Sequence, residues 1–316
     1  MASDVPGIDF TVAVATMDRP CALARCVTAI LGGQTLPAEL VIVDQSTGSE
    51  TAAVVMAAGW ARVVPLRYVR QPRRGLAVAR NAAIAHASRP IVAFTDDDCV
   101  PEHRWLSTLV EAFDGRAQPH AVTGRVLPLG PERPGLYAVS TRASGVRAVY
   151  RERALPWAIG SGGNMAVKRE WLDRIGGFDE RLGVGSPGLS AEDIDLFYRL
   201  LHAGATLQYE PDAVVFHEQQ DGARRLATRP AYGFGMGAFC AIWAQRRDAY
   251  AIWILGRWCF DRSRALLAAA IRRRWRRVRE ELLMLRGATS GIAYGLTRSS
   301  RRRGLLMTLW SGEKTT

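Results

Sequence analysis

The sequence predicts an α/β fold with a mainly parallel sheet covered by helices on both faces, followed by a basic helical tail. Two observations carry this prediction. Short apolar stretches alternate with helix-like stretches over residues 10–218, and positive charge is concentrated behind them. Such alternation is typical of right-handed βαβ crossovers. The composition, 48% hydrophobic and 23% charged, is that of an ordinary globular protein.

The first part of the chain alternates most regularly. Apolar, β-prone runs predict strands, and the first helix has proline at its start and two glycines after its end. The predicted strands are Phe10–Thr16, Leu40–Val43, Leu66–Val69 and a run from Ile91, and the helices between them are Pro20–Leu31, Thr51–Ala58 and Gly75–Ala87. Ligands of parallel sheets bind at the carboxyl ends of the strands, so we expect Thr16, Asp18, Asp44 and Asp96 to Asp98 to share one edge.

Beyond the fourth strand the pattern is looser. A proline-containing loop, Pro128–Pro156, has little periodicity and is of the kind that carries specificity. The other predicted elements are a helix at Trp105–Phe113, a strand at Ala121–Leu129, a glycine-rich turn entering an apolar strand before Lys168, helices at Trp171–Ile175 and after Ser190, and a strand at Ala205–Phe216.

Three adjacent carboxylates, Asp96 to Asp98, follow the fourth strand. Adjacent carboxylates repel one another unless a cation or fixed donors compensate them, and a divalent metal with a phosphate-bearing ligand does so. The alternative is a solvated turn in which one aspartate caps the next helix. This stretch alone leaves both interpretations open.

Further candidate residues lie on helices and turns. Arg80 and Asn81 begin a helix that faces the same edge, which favours contact with a nucleotide. Asn164 stands in the glycine-rich turn, where a ligand can approach the backbone closely. The other basic residues nearby, Arg70 to Arg74, have the simpler interpretation of a solvated loop.

A second acidic group, Glu192, Asp193 and Asp195, occupies the first turn of a predicted helix. Ser190 and Asp193 have the spacing of a capping pair, and the helix dipole favours such acids by only about 0.3–1 kcal/mol each. The glycine-rich loop Gly183–Gly188 leads into this helix, and a carboxylate beside such a loop can act as a general base on a hydroxyl. His217 ends the last strand, where it is either structural or a further metal ligand.

Some function classes are disfavoured. The five cysteines are scattered without a CxxC spacing, which argues against a disulfide framework and a zinc site. A GxGxxG fingerprint does not follow the first strand, which argues against a dinucleotide-dependent oxidoreductase. The first residues lack the features of a secretory signal, so we expect a cytoplasmic protein.

Seven stretches occur in an order that is found in one known family. They are Val12–Arg19 (VAVATMDR), Val41–Ser46 (VIVDQS), Gly75–Ala83 (GLAVARNAA), Phe94–Pro101 (FTDDDCVP), Gly162–Arg169 (GGNMAVKR), Gly176–Glu180 (GGFDE) and Ala191–Arg199 (AEDIDLFYR). Over Phe10 to Glu218 the chain resembles the family-2 glycosyltransferases. The resemblance implies the GT-A fold, a Rossmann-like mixed sheet in three layers α/β/α, and an inverting transferase that uses a nucleotide-diphosphate sugar with Mn²⁺ or Mg²⁺.

The resemblance also implies roles for individual residues. Asp193 corresponds to the catalytic base. Asp98 and His217 correspond to metal ligands, with Asp96 nearer the ribose. The positions that correspond to donor or nucleotide binding are Thr16, Arg19, Asp44, Arg80, Asn81, Asp96, Asp97, Asn164 and Glu192.

The tail differs in character, and we expect a catalytic domain at 1–220 and a basic helical region at 221–316. From Gly222 onward there are 20 basic and 5 acidic residues, and runs such as Arg272–Arg274 and Arg301–Arg303 interrupt the apolar stretches. No apolar run reaches the roughly 18 residues of a spanning helix. Arginine-rich helices with tryptophans predict peripheral contact at the inner face of the cell membrane. Packing on the catalytic domain, dimer formation and nucleic-acid binding are the alternatives, and nucleic acid is the least expected.

The expected partners are a nucleotide-diphosphate sugar and a saccharide or lipid-linked acceptor. A nucleotidyltransferase of related fold is disfavoured, because residues 16–20 do not form the glycine-rich basic loop that it needs after the first strand. A non-catalytic membrane- or RNA-binding protein on a transferase scaffold is the remaining alternative.

Overall fold

A computed structural model describes residues 9–131 and 133–298. The first eight residues, on which the expectation about a secretory signal rests, lie outside this range. So does the run Arg301–Arg303, which is part of the predicted basic tail. The chain divides into two compact units, one formed by Met1–Pro187 with Glu192–Arg225 and the other by Gly188–Ala191 with Leu226–Thr316. The division into domains at residue 220 stays a prediction.

The order of elements along the chain follows the alternation that the sequence predicts. The strands are β1 (Phe10–Thr16), β2 (Glu39–Asp44), β3 (Leu66–Arg70), β4 (Ile91–Asp96), β5 (Cys99–Pro101), β6 (Ala121–Pro128), β7 (Leu136–Tyr137), β8 (Ala148–Tyr150), β9 (Asn164–Lys168), β10 (Leu207–His217) and β11 (Gln220–Asp221). The helices are α1 (Pro20–Leu31), α2 (Glu50–Ala57), α3 (Leu76–His86), α4 (Trp105–Asp114), α5 (Pro156–Ile159), α6 (Arg169–Ile175), α7 (Glu192–His202), α8 (Gly222–Ala244), α9 (Ala249–Ile271) and α10 (Trp275–Arg298), with a 3₁₀ turn at Trp60–Arg62.

Nine strands form one mixed sheet in the order β3-β2-β1-β4-β9-β6-β10-β5, with β8 also paired to β10. β1 to β4 are parallel neighbours, as predicted. β9 runs antiparallel between β4 and β6, and β5 and β8 run antiparallel to β10. The sheet is therefore mixed, as the family resemblance implied. The loop Pro128–Pro156 contains two short strands, β7 and β8, which were not predicted.

Two apolar clusters sandwich the sheet. Along β1 and β2, Val12, Val14 and Ile42 belong to one cluster, whereas Ala13 and Val41 belong to the other. Successive strand residues point to opposite faces, so these runs are apolar at every position because both faces are covered by helices. The three-layer α/β/α arrangement is confirmed.

The second unit is helical, as the sequence predicted for the tail. A Cβ atom placed at Gly233 of α8 would lie 1.9 Å from the carbonyl oxygen of Met284, and one at Gly291 of α10 would lie 1.9 Å from that of Phe234. The two backbones therefore touch where these glycines occur. In the described parts of the chain, no helix combines the length and apolarity needed to cross a bilayer.

Candidate active site

The acidic turn lies at the carboxyl end of β4, which is flanked by β1 and β9. A side chain from the turn after β1 meets it: Arg19 Nη1 lies 2.6 Å from Asp98 Oδ2 and 3.2 Å from Asp97 Oδ1. Thr16 Oγ1 donates a hydrogen bond of 2.8 Å to Asp97 Oδ2. The protein itself thus partly compensates the repulsion between the adjacent aspartates.

Asp97 faces the interior. Its side chain is only 3% exposed, and burial raises its pKa to about 7, with the charge of Asp98 adding to the effect and Arg19 opposing it. Both of its oxygens bind protein groups. Through these contacts with Thr16 and Arg19, Asp97 helps to fix the conformation of the turn. Its contact with the donor stays a prediction.

Asp96, Asp98, Cys99 and His217 form a cluster in which each residue offers one ligand atom, all within 4.8 Å of one another. The pairing of β5 with β10 sets His217 opposite Cys99. His217 Nδ1 lies 2.9 Å from the carbonyl oxygen of Glu218, which favours the proton on Nδ1 and leaves the Nε2 lone pair 3.6 Å from Asp98 Oδ1. Asp98 therefore uses Oδ2 for Arg19 and presents Oδ1 to His217.

This donor set fits a divalent cation. Carboxylate oxygen suits Mg²⁺ and Mn²⁺, and imidazole nitrogen is an accepted additional ligand for manganese. Cys99 is the member that the sequence did not indicate as a ligand. Burial raises the pKa of this thiol, and sulfur is a poor ligand for hard cations, so the cluster fits best through its two carboxylates and the imidazole.

Arg80 connects the acidic turn to the start of α7. Its guanidinium is almost fully buried and lies 2.8 Å from Asp96 Oδ1 and 3.1 Å from Glu192 Oε1. Burial raises the pKa of Glu192 to about 7, with Asp193 adding to the shift and Arg80 opposing it. One buried cation thus holds carboxylates from β4 and α7 next to each other.

Asp193 lies against the glycine-rich turn. The backbone N–H of Gly162 donates to Asp193 Oδ2 at 2.9 Å, and that of Ile194 donates to Oδ1 at 2.8 Å. A Cβ atom at Gly162 would come within 2.7 Å of Arg80 Nη1 and 3.0 Å of the Asp193 Cβ. Only glycine permits this close approach of the turn to Arg80 and Asp193.

Asp44, at the end of β2, is fully buried. It accepts hydrogen bonds from the Ser46 backbone at 2.8 Å and from Arg70 at 2.7 Å, and also from the Tyr68 hydroxyl. Burial by itself would raise its pKa, but these donors lower the pKa below the ordinary value. Gln45, the next residue, binds the backbone of Gly75 through both ends of its amide.

Two asparagines bind protein groups. Asn81 pairs with the backbone N–H and C=O of Phe178 at 2.7 and 3.0 Å. Asn164 is buried, where it accepts from Trp105 Nε1 at 2.8 Å and donates to the carbonyls of Arg125 and Ala213. These contacts hold the sheet and the α6–α7 loop in place. The predicted roles of both residues in binding the donor stay predictions.

The family model "Glycosyl transferase family 2" matches residues 11–176. Among curated proteins, the chain is 27% identical over 240 residues to the pre-mycofactocin glycosyltransferase of Mycobacterium tuberculosis, covering 74% of this chain and 48% of that protein. It is 25% identical over 227 residues to the glucosyl-dolichyl phosphate glucuronosyltransferase of Haloferax volcanii, covering 67% and 69%. The chain thus spans about half the length (48%) of the mycobacterial relative.

Solved structures share the GT-A fold with this chain. A mannosyltransferase from Pyrobaculum calidifontis, in complex with GDP-Man and Mn²⁺, superposes with a TM-score of 0.61 at 20% identity, covering 90% of this chain and 87% of that one. S. aureus TarS 1-349 in complex with UDP superposes with a TM-score of 0.55 at 14% identity, covering 72% and 65%. At these identities the likeness concerns the fold.

Proposed function

Because the chain belongs to glycosyl transferase family 2, we propose that it transfers a sugar from a nucleotide-diphosphate sugar to a hydroxyl of a saccharide, lipid-linked or other cell-envelope acceptor, with inversion at the anomeric carbon. One observation carries the proposal. Asp98, Arg80, His217 and Asp193, from four separate stretches of the sequence, converge around the carboxyl end of β4.

In this proposal the metal is held by Asp96, Asp98 and His217. A bound divalent cation supplies charge that stabilises the diphosphate leaving group. Arg19 fixes one oxygen of Asp98, at 2.6 Å, so the other remains directed toward His217. Part of the arrangement is therefore preformed by hydrogen bonds and ion pairs within the protein.

Asp193 is the proposed general base. Each of its oxygens accepts one backbone N–H, which fixes the carboxylate while leaving lone pairs for the acceptor hydroxyl. Asp193 takes the hydroxyl proton as the acceptor oxygen attacks the anomeric carbon from the face opposite the diphosphate. A single displacement of this kind inverts the anomeric centre. Arg80 positions the base by holding the neighbouring Glu192.

The nucleotide is proposed to bind along the ends of β1, β2 and β4, near Thr16, Asp44 and Asp96. Two proteins of the same fold have been solved with such ligands: the mannosyltransferase from Pyrobaculum calidifontis with GDP-Man and S. aureus TarS with UDP. These complexes support a nucleotide-linked donor here. The peripheral membrane contact predicted for the tail is also part of this proposal.

The test is a screen of UDP-, GDP- and dTDP-sugars for release of nucleoside diphosphate, with Mn²⁺, Mg²⁺ or chelator. We expect slow turnover of one donor that chelator abolishes. Asp98→Ala should lose both turnover and metal-dependent nucleotide binding measured by calorimetry. Asp114→Ala, which removes an exposed carboxylate at the end of α4, is the matched control and should retain both. The proposal would be contradicted if no donor is turned over and no donor binds in the presence of metal.

A further inference from the structure

Helix α9 has two opposite faces. Ala251, Ile254 and Ala269 are buried. The side chains on the other face are large, apolar and exposed, and we call them the α9 stripe: Ile252 (58%), Trp253 (52%), Phe260 (56%), Leu267 (63%) and Ile271 (73%). Their helical spacing places them on one side of α9 along its whole length. An exposed apolar face of this extent marks an interaction site.

Arginines border the stripe. Arg264 lies over the ring of Phe260, 5.7 Å from its centroid. Arg257 lies on the same side of the helix two turns earlier, where it is also paired with Asp261 at 3.0 Å. Three more exposed arginines, Arg272–Arg274, follow the end of α9. Guanidinium groups beside an apolar surface match a layer that has phosphates outside and hydrocarbon beneath.

No acid among the described residues of this unit is in the exposed class, although Asp248 and Asp261 are half-buried and Asp261 lies 3.0 Å from Arg257. Glu280 and Glu281 are buried and paired with arginines; Glu281 lies 3.4 Å from Arg262 and Glu280 lies 3.5 Å from Arg276. Among the described residues from Ala249 to Thr297, every charged side chain in the exposed class is an arginine. The fully exposed charges of this stretch are therefore all positive, and Asp261 compensates part of the charge of Arg257.

We propose that the α9 stripe is the surface that docks on an anionic membrane, with its apolar side chains at the boundary between headgroups and acyl chains and Arg257, Arg264 and Arg272–Arg274 on lipid phosphates. The inference rests on the proposed membrane contact, which it narrows to one helix face. Apolar burial and charge attraction act together in such binding.

Other occupants fit less well. A second copy of the chain would bring the arginines of two molecules together, and like charges at an interface oppose association. RNA would pair with the arginines but would leave aliphatic side chains such as Ile252, Leu267 and Ile271 in water. Only a lipid surface satisfies both components of the face.

The experiment is co-sedimentation of the full chain with phosphatidylcholine vesicles, alone or mixed with phosphatidylglycerol. We expect binding to the mixed vesicles that weakens with added salt. The double substitution Trp253→Ser with Phe260→Ser should weaken binding about tenfold or more. Its control replaces two equally exposed apolar residues of the first unit, Met56→Ser with Val146→Ser, and should bind like the unmodified chain.

A second pair tests the charge. Arg257→Gln with Arg264→Gln should weaken binding about tenfold or more and reduce the salt dependence. Arg62→Gln with Arg116→Gln removes the same charge from exposed positions elsewhere and should change binding less than about twofold. The arginine variants keep the apolar face, so the proposal remains testable if the serine variant does not fold.

The outcomes separate the two proposals. If the unmodified chain does not sediment with anionic vesicles, both the membrane contact and the α9 surface are wrong. If it sediments and the α9 variants bind equally well, the α9 surface alone is wrong. Vesicle-free binding to RNA, or dimer formation, that is lost in the same variants would also overturn the lipid assignment. Donor hydrolysis without vesicles, measured on the same proteins, should be unchanged by the α9 substitutions and reports on the transferase separately.

Discussion

The edge of the sheet at β4 and the exposed side of α9 use charge in opposite ways. At β4, carboxylates are drawn inward and are held by the buried Arg80 and by the more exposed Arg19. On α9 the exposed arginines lie beside large apolar side chains, while the acids of that unit are buried, as Glu280 and Glu281 are, or half-buried, as Asp261 is. Charges that are held internally provide a fixed site for a small ligand, whereas charges of one sign facing water suit an extended surface of opposite sign.

The largest effect is expected from Asp193→Asn, because the proposed reaction takes place at the edge of the sheet at β4 and not on α9. The amide oxygen can still accept the N–H of Gly162, and only the bond from the N–H of Ile194 is lost, so we expect the fold to be retained. Loss of the base should lower kcat roughly a hundred- to ten-thousand-fold. Steady-state rates with donor and acceptor measure it, with Asp114→Asn as the control. Undiminished turnover would place the base elsewhere and favour the scaffold alternative.

Arg80→Met tests whether the charges at β4 are held internally. It leaves Asp96 and the buried Glu192 without their shared cation, and breaking such a group typically costs about 3–5 kcal/mol. Urea unfolding should show this loss at neutral pH. Arg62→Met, at an exposed position, should change the free energy of unfolding by less than about 0.5 kcal/mol. If the two variants lose similar amounts of unfolding free energy, the buried network around Arg80 stabilises the fold no more than an exposed arginine does.

Two glycine substitutions test the helical unit. At Gly291 a methyl group would lie 1.9 Å from the carbonyl oxygen of Phe234, so Gly291→Ala should force α8 and α10 apart and cost about 1–3 kcal/mol. At Gly256 of α9 the position is open, so Gly256→Ala should gain up to about 1 kcal/mol from helix propensity. Thermal unfolding of the two variants measures both. A shift of the same sign in both would contradict the close contact of the helices.

The smallest effect concerns pH. The donors around Asp44 lower its pKa in the folded protein, so the unfolded chain takes up the proton more readily. The stabilisation is present above the unfolded pKa of about 4 and is lost as the pH falls through the lower folded pKa. Asp44→Asn should therefore flatten the decline of unfolding free energy on acidification. Urea unfolding measured at several values between about pH 6 and pH 3 follows this decline. If the slope of unfolding free energy against pH is the same in Asp44→Asn and the unmodified chain, Asp44 does not cause the decline.

Several elements could be predicted from local sequence. The bounds predicted for Phe10–Thr16 and Pro20–Leu31 agree with β1 and α1, because an all-apolar run and a proline-to-glycine helix frame are local signals. The short strands β5 and β8 were missed. They are three residues each, and they form by pairing with β10, which lies far along the chain.

The site residues also fall into those that local sequence indicates and those whose contacts depend on distant segments. The carboxylates of Asp96 to Asp98 stand together in the sequence, and their repulsion made a cation one of two interpretations, between which the rest of the chain had to decide. That Cys99 faces His217 follows from the pairing of β5 with β10. The contacts of Asn164 with Trp105, Arg125 and Ala213 also depend on distant segments, and no local pattern distinguishes an asparagine turned into the core from one that faces a ligand.

The sequence by itself determined the order of strands and helices, the family and the residues at which acids and glycines concentrate, because these follow from periodicity, propensity and motif order. Only the tertiary structure decided that β9 enters the sheet antiparallel, that Arg80 joins Asp96 to Glu192, and that α9 turns Trp253 and Phe260 outward. Burial and pairing between residues far apart in the chain depend on how whole elements pack, and no single stretch carries that information.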